Sequence, residues 1–545
     1  MMRGFVRVGD RHVHYRRAGE GPAVVLLHAS PVSGAMFLDQ IRVFSERFTA
    51  IAIDTPGYGL STPLPRETPE IADYADALVE TLDALGIARA FLYGRHTGAS
   101  IAVETARRHP ERCALALCDG YPVFTPGESE RYLTRYLVPF VPTWDGSHLS
   151  FWWLRYRDQH VFWPWDLQET RHRADADVPD VDFLHRGFTQ IAMAGDGYRI
   201  GYAAAFRHDS VPALRETRAR VMLTSRPGDS LHASFPSVPP LHEKRELPRD
   251  TVPAAHAEVA IMAEAGGATP PAAERAPRWA DRRGGDRVML SAGRGGLHAR
   301  VFGKTDGRAP IVAIAPLPGG FGGLVPLLEE IGRRHPVLAL EAPGQSDSET
   351  GDPPDVEAAA GWIREALAAF GCPLAVVLGI EGSAAIAVEL ARTAGAFAIL
   401  LDPPAVPDAV RAEFAEAYTV DLTPHVDGRH VPVTWSFARD ERLWMPFYRR
   451  TRAAALAPVA GIDADTLHAR VTDLLKQPAG VGPALAALWR HPLAHRLDAL
   501  AGRAVVIAAP EDRFRAALPS TARRVTVESR AALADAVADE ARPWA

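Results

Sequence analysis

Continuous apolar runs alternate along this chain with stretches whose apolar positions recur at helical spacing. AVVLLH (23–28), FTAIAID (48–54), AFLYG (90–94), CALALCD (113–119) and RVMLTS (220–225) are bounded by Gly, Pro or polar residues. Runs of that length without polar alternation suit strands buried on both faces, as in a parallel sheet covered by helices. Between them, IADYADALVETLDALG (71–86) and ASIAVETARRHP (99–110) have helical periodicity and end at Gly86 and Pro110, residues that stop helices. An aromatic-rich insert, about 122–204, separates the strands at 113–119 and 220–225. REL (245–247) is the expected last strand of this block, with a final helix behind it.

The same order then returns. DGSHLSFWWLRYRDQHVFWPW (145–165) aligns without a gap on DGRHVPVTWSFARDERLWMPF (427–447). AIDTPGYGLS pairs with ALEAPGQSDS, LCDGYPV with LLDPPAV, and VMLTSRPGD with VVIAAPED. Collinear matches at nearly one spacing mark a duplication. The second copy is expected to place strands at 310–315, 336–341, 373–379, 397–402 and 503–508, with an insert at about 404–495. The stretch EAGGATPPAAERAPRWADRRGGD (264–286) has the Gly, Pro and charge of a surface linker. The expected organisation is therefore a domain at 1–263, a linker at 264–285 and a domain at 286–545, the two domains packing on each other.

Composition agrees with two cores, since 545 residues exceed what one core holds. Charges are mixed and the net charge is only -6, which speaks against a nucleic-acid partner. No apolar run is long enough to span a bilayer, and MMRGFVRVGD lacks a signal-peptide core, so the expected location is the cytoplasm. Cys113, Cys118 and Cys372 are too few and too scattered for a metal site or a disulfide framework. The Gly-rich PGGFGG (318–323) lacks the Lys-Ser/Thr of a phosphate loop. No cofactor or metal is expected.

The order of these pieces resembles the α/β-hydrolase superfamily, with an inserted helical cap in each copy. The resemblance implies an α/β fold class: two tandem domains, each a mostly parallel sheet flanked by helices. In that superfamily the nucleophile sits in a sharp strand-to-helix turn, G-x-nucleophile-x-G. Here the turn reads Gly94-Arg95-His96-Thr97-Gly98 in the first copy and Gly379-Ile380-Glu381-Gly382-Ser383 in the second. DTPGYGLS (54–61) matches the family's D-x-x-G-x-G-x-S loop, and His28-Ala29-Ser30-Pro31 stands where a His-Gly pair is usual. Neither elbow holds a serine or cysteine.

The residues at these positions carry the candidate chemistry. His96, at the start of a helix whose positive end disfavours imidazolium, is suited to act as a general base. The N–H groups of Thr97 and Ala29 are the candidate oxyanion hole. The resemblance offers two acids to orient a histidine: Asp229 at the commoner position and Asp119 at the alternative one. Their counterparts in the second copy are Asp512 and Asp402. The family's histidine base would fall near Val252; the nearest histidine, His256, is expected inside the final helix. His28, Trp153 and His160 are the candidate pocket residues. His28, His96 and His160 become Ala315, Glu381 and Arg442 in the second copy, so a site is expected in the first copy and a catalytically silent domain in the second. The expected partner is a small, fairly apolar carbonyl or ester compound, hydrolysed or cleaved by the first domain; the competing expectation is a pseudoenzyme that binds without turnover.

Overall fold

The computed structural model describes residues 1–273, 275–291, 293, 295–349, 354–456, 462–500, 502–508, 518–519, 522–527 and 529–544. The chain divides into two compact units: Met1–Val141 with His148–Glu274, and Pro142–Ser147 with Arg275–Ala545.

In the first unit the apolar runs become β3 (Ala23–Leu27), β4 (Thr49–Ile53), β5 (Ala90–Arg95), β6 (Cys113–Asp119) and β7 (Val221–Ser225). Two strands were not legible from the pattern, β1 (Met2–Val8) and β2 (Arg11–Ala18). They form an antiparallel hairpin in RGFVRV and RHVHYRR, where charge masks the period-two signal. β8 (Glu243–Glu246) closes the sheet in the order β1-β2-β4-β3-β5-β6-β7-β8. β2 runs antiparallel to β4, and β3 to β8 are mutually parallel where they pair. Both faces are dry. Val25 and Leu27 join one core cluster with Ile101 and Val103, while Val24 and Leu26 join another with Phe37, Phe44 and Met262.

Helices Ile71–Ala84, Thr97–Arg108 and Thr251–Ala265 flank this sheet. His256 lies inside the last of them, and Val252 in its first turn. Between β6 and β7 the insert folds into further helices, chiefly Ser147–Asp158, Val181–Ala194 and Tyr198–Arg207.

The second unit repeats the plan. β9 (Arg287–Leu290), β10 (Leu297–Phe302), β11 (Ile311–Ile314), β12 (Val337–Leu340), β13 (Val376–Ile380), β14 (Phe397–Leu401), β15 (Ala504–Ala508) and β16 (Arg523–Thr526) take the equivalent order β9-β10-β12-β11-β13-β14-β15-β16. One latch is reproduced in both. In the first unit Arg3 donates to His14 Nε2 at 3.2 Å, and His14 Nδ1–H donates to Asp54 at 2.8 Å. In the second, Arg287 donates to His298 Nε2 and His298 Nδ1 faces Glu341, each at 3.2 Å. The latch ties each hairpin to the loop after the second parallel strand. Among the described residues no helix is long and apolar enough to cross a membrane, and the three cysteines are buried and free.

Candidate active site

The elbow is built by glycines that admit no side chain. A Cβ on Gly98 would lie 1.9 Å from the Leu27 carbonyl oxygen, and one on Gly94 would lie 2.2 Å from that of Gly98. β5 therefore turns into the Thr97–Arg108 helix within one residue, and that residue, His96, takes φ 48° and ψ -111°. A positive φ on a residue with a Cβ stores strain, and at this turn it sets the imidazole at the carboxyl end of the sheet.

There His96 Nε2 lies 3.0 Å from both oxygens of Asp229, in the loop after β7. The carboxylate also accepts from Arg95 at 2.8 Å and from the Leu231 N–H at 2.9 Å. Burial by itself would raise the Asp229 carboxyl. The neighbouring His96 and Arg95, with these hydrogen bonds, outweigh burial and hold it well below the usual carboxylate range. Gly120 makes room for the pair: with φ 65°, it would place a Cβ 2.7 Å from the His96 ring and 3.2 Å from Asp229. Sequence reasoning passed over Gly120; the Asp-Gly after β6 was the available signal.

Asp119 does not join this pair. It is fully buried, ion-paired with Arg226 at 3.1 Å and accepting from the Tyr93 hydroxyl at 3.2 Å. Its place at the end of β6 directs it into this buried network. Glu258 belongs to the same network: burial and then the Asp119 charge push its carboxyl well up from the usual carboxylate range.

A cavity of about 420 Å³ opens over the elbow, a size suited to a small molecule. His96, Asp229, Ala29 and His160 all line it. His160 stacks edge-on with Tyr156 and Phe183, and burial, aided by the Arg95 charge, pushes its imidazole down to about 4. Thr97 is the first residue of the helix, where N–H groups lack intrahelical partners. The Ala29 N–H is engaged by Met36 Sδ at 3.4 Å, a weak acceptor that a ligand oxygen can replace.

Two of the expected pocket residues lie elsewhere. His28 is 1% exposed; its Nδ1–H donates to the Ala29 carbonyl and its Nε2 accepts from the Thr55 N–H, both at 2.9 Å. Both ring nitrogens serve the backbone. Trp153 turns into the insert and packs edge-on against Phe188. Metal-like clusters occur only away from the cavity among the described residues, at His298, Glu341 and Asp347 and at Glu357, Glu389 and His491. The first is the latch, with Lys476 paired to Asp347 at 2.8 Å. In the second, Arg392 and His491 pair with Glu389.

The second unit keeps the elbow and, among the described residues, sets different side chains around it. Glu381 has φ 50° and lies 3.8 Å from Arg442. The helices Val181–Ala194 and Ala464–Leu475 align on their N-caps, Asp180 and Asp463. They also share Leu-His-x-x-x-Thr, whose Thr–His contacts are 3.4 and 3.5 Å. Gly187, which lines the first cavity, thus corresponds to Arg470. Arg470 donates to the Pro318 carbonyl at 2.5 Å and to Glu441 at 2.9 Å. Asp402 sits at a φ of 44°; Asp512 lies outside the described residues.

Comparison with known proteins places this geometry. Residues 22–153 match the alpha/beta hydrolase fold family. A stretch of 106 residues, 19% of this chain, is 33% identical to 2-(acetamidomethylene)succinate hydrolase of Mesorhizobium japonicum, covering 38% of that protein. Another of 117 residues, 21% of the chain, is 34% identical to 2-hydroxy-6-oxo-6-phenylhexa-2,4-dienoate hydrolase of Comamonas testosteroni, covering 41% of it. The match thus spans about two-fifths of the length of these relatives. The crystal structure of E-2-(acetamidomethylene)succinate hydrolase superposes with a TM-score of 0.37 at 20% identity, over 48% of this chain and 97% of that one. Residues 22–153 thus match the α/β-hydrolase fold family, and the chain carries two tandem domains of this fold class, each a mostly parallel eight-stranded sheet flanked by helices.

Proposed function

We propose that the first unit is a hydrolase- or lyase-type enzyme for a small carbonyl or ester compound, with His96 as general base and Asp229 as its orienting acid. The observation that carries this is the 3.0 Å contact of His96 Nε2 with both Asp229 oxygens at the elbow, beside a ligand-sized cavity. Asp229 holds the proton on Nε2, which leaves Nδ1 as the basic nitrogen. Nδ1 takes a proton from water, and the oxygen of that water attacks the substrate carbonyl. The oxyanion is met by the N–H groups of Thr97 and Ala29, and the imidazolium returns the proton to the leaving group. That relatives matching this segment are hydrolases of small compounds is consistent with this reading.

A second reading, a small-molecule binder without turnover, is favoured by Arg95, which draws on the same Asp229 carboxylate at 2.8 Å. Turnover of an ester, lactone, thioester and epoxide panel by the wild type, His96→Ala and Asp229→Asn separates the two. The enzyme reading expects turnover that falls by about 10²–10⁴ in His96→Ala and by a smaller factor in Asp229→Asn. Turnover untouched by His96→Ala would reject His96 as the base.

A further inference from the structure

Two amides on the cavity wall have their orientations fixed from behind. Gln190 Oε1 accepts the Ser33 N–H at 2.5 Å. Gln159 Oε1 accepts from Arg155 Nη1 at 2.6 Å. Arg155 is itself held in a cage of Tyr136, Trp152 and Trp165, its guanidinium 5.1–5.3 Å from each ring centre. With both carbonyl oxygens committed to donors, each amide is left with its NH₂ group to offer a ligand. Gln190 lies one helical turn after Arg186, so the two side chains share a face of the Val181–Ala194 helix, and both line the cavity. Arg186 has no ion pair among the described residues.

The carboxylates on the cavity wall are, by contrast, already used or exposed. Asp229 is taken by His96, Arg95 and Leu231. Asp39 pairs with Arg42 at the solvent side, and Asp177 is exposed. The wall therefore offers amide donors and the positive charge of the exposed Arg186 to whatever fills the cavity, beside apolar surface from Val32, Trp163 and Phe183. In the second unit Arg186 and Gln190 are replaced by Ala469 and Asp473, and Gly187 by Arg470. The donor set is therefore not repeated there.

We infer that the cavity takes a small carboxylate with an apolar tail, its carboxylate gripped by Arg186 and the amide nitrogens of Gln190 and Gln159. Charge-assisted hydrogen bonds from a guanidinium and two amides match the lone pairs of a carboxylate, whereas an ammonium group meets no uncommitted buried carboxylate. This names the substrate class for the site proposed above and rests on that cavity being the site, though not on His96 chemistry.

The test is calorimetric titration of the full chain with phenylacetate, phenylacetamide and phenethylamine, none of which has an ester to cleave. Phenylacetate is expected to bind at least tenfold tighter than the other two, with the preference falling as salt is raised. Arg186→Met is expected to remove most of that preference and Gln190→Met to reduce it several-fold; Arg186 is exposed, so its substitution leaves the fold intact, which a melting curve checks. Equal binding of acid and amide, a preference unchanged in Arg186→Met, or no binding of the acid at 10 mM in wild type each overturns the inference. Acid preference without turnover of the ester panel would reject the enzyme reading alone, whereas His96-dependent turnover without acid preference would reject this inference alone.

Discussion

Above the elbow of the first unit the inserted helix presents Gly187, and a cavity lies beside it; at the same place in the second unit the helix presents Arg470, bonded to Glu441 and to the Pro318 carbonyl. The frameworks below are otherwise alike, from strand order to the Arg–His–carboxylate latch on each hairpin. The difference teaches that a fold of this kind separates its two tasks spatially. Sheet, hairpin and elbow glycines settle the architecture, while a few side chains facing the elbow decide whether a ligand has room. Exchanging a glycine for an arginine places a largely buried ion pair on the helix, and such a pair then becomes necessary, because removing one partner strands the other.

The largest expected effect separates the elbows by activity. His96→Ala should lower turnover of any substrate found on the panel by about 10²–10⁴, while Glu381→Ala should leave it unchanged; equal losses in both would mean that the second unit also contributes chemistry. Next in size is the plug. Arg470→Ala leaves Glu441 without its partner and should cost about 3–5 kcal/mol in urea unfolding. A cost below about 1 kcal/mol, the range of exposed pairs, would show that Arg470 merely covers the surface.

Much of the shared framework was legible beforehand, and the failures have physical causes. Buried parallel strands announce themselves as unbroken apolar runs, so β3 to β7 and β11 to β15 fall where the pattern predicts them. The hairpins did not, because their strands carry Arg and His whose burial is made possible only by partners distant in sequence, such as Asp54 and Glu341. His96 and Asp229 were readable from the elbow and from the loop after β7. Asp119 was not distinguishable from Asp229 by spacing, since the difference lies in Arg226 and Tyr93, which claim Asp119 only in three dimensions. Gln159 and Gln190 went unnoticed, because a glutamine becomes informative when its oxygen is seen to be occupied.

The latch gives a pH test. Burial drives His14 down to about 4 despite Asp54, consistent with Arg3 donating to its Nε2 and keeping it neutral. Its folded value lies below the unfolded 6.5, so between these values the unfolded chain binds the extra proton. Stability from this group is thus complete above pH 6.5 and is lost as pH falls toward 4. The loss is roughly 3 kcal/mol at 1.36 kcal/mol per pH unit. Urea midpoints measured from pH 7.5 to 4.5 should fall, and less steeply in His14→Gln; parallel curves for the two proteins would remove His14 as the cause.

The smallest effect concerns strain that has lost its purpose. His96 and Glu381 both sit at positive φ, 48° and 50°, a conformation costing on the order of 1–3 kcal/mol for a residue with a side chain. In the first unit that cost positions a base beside Asp229. In the second it positions a half-exposed carboxylate 3.8 Å from Arg442, a contact worth little in water. Glu381→Gly should therefore relieve more than it removes. Glycine adopts this φ freely but is looser in the unfolded chain, which takes back about 0.4–1 kcal/mol. The net expectation is a gain of about 1 kcal/mol, seen as a melting temperature raised by about 2 °C, with turnover unchanged. His96→Gly should show the same relief together with loss of turnover. If Glu381→Gly instead destabilises, the carboxylate holds Arg442 or Arg470 in place, and the second elbow is maintained by its ion pairs.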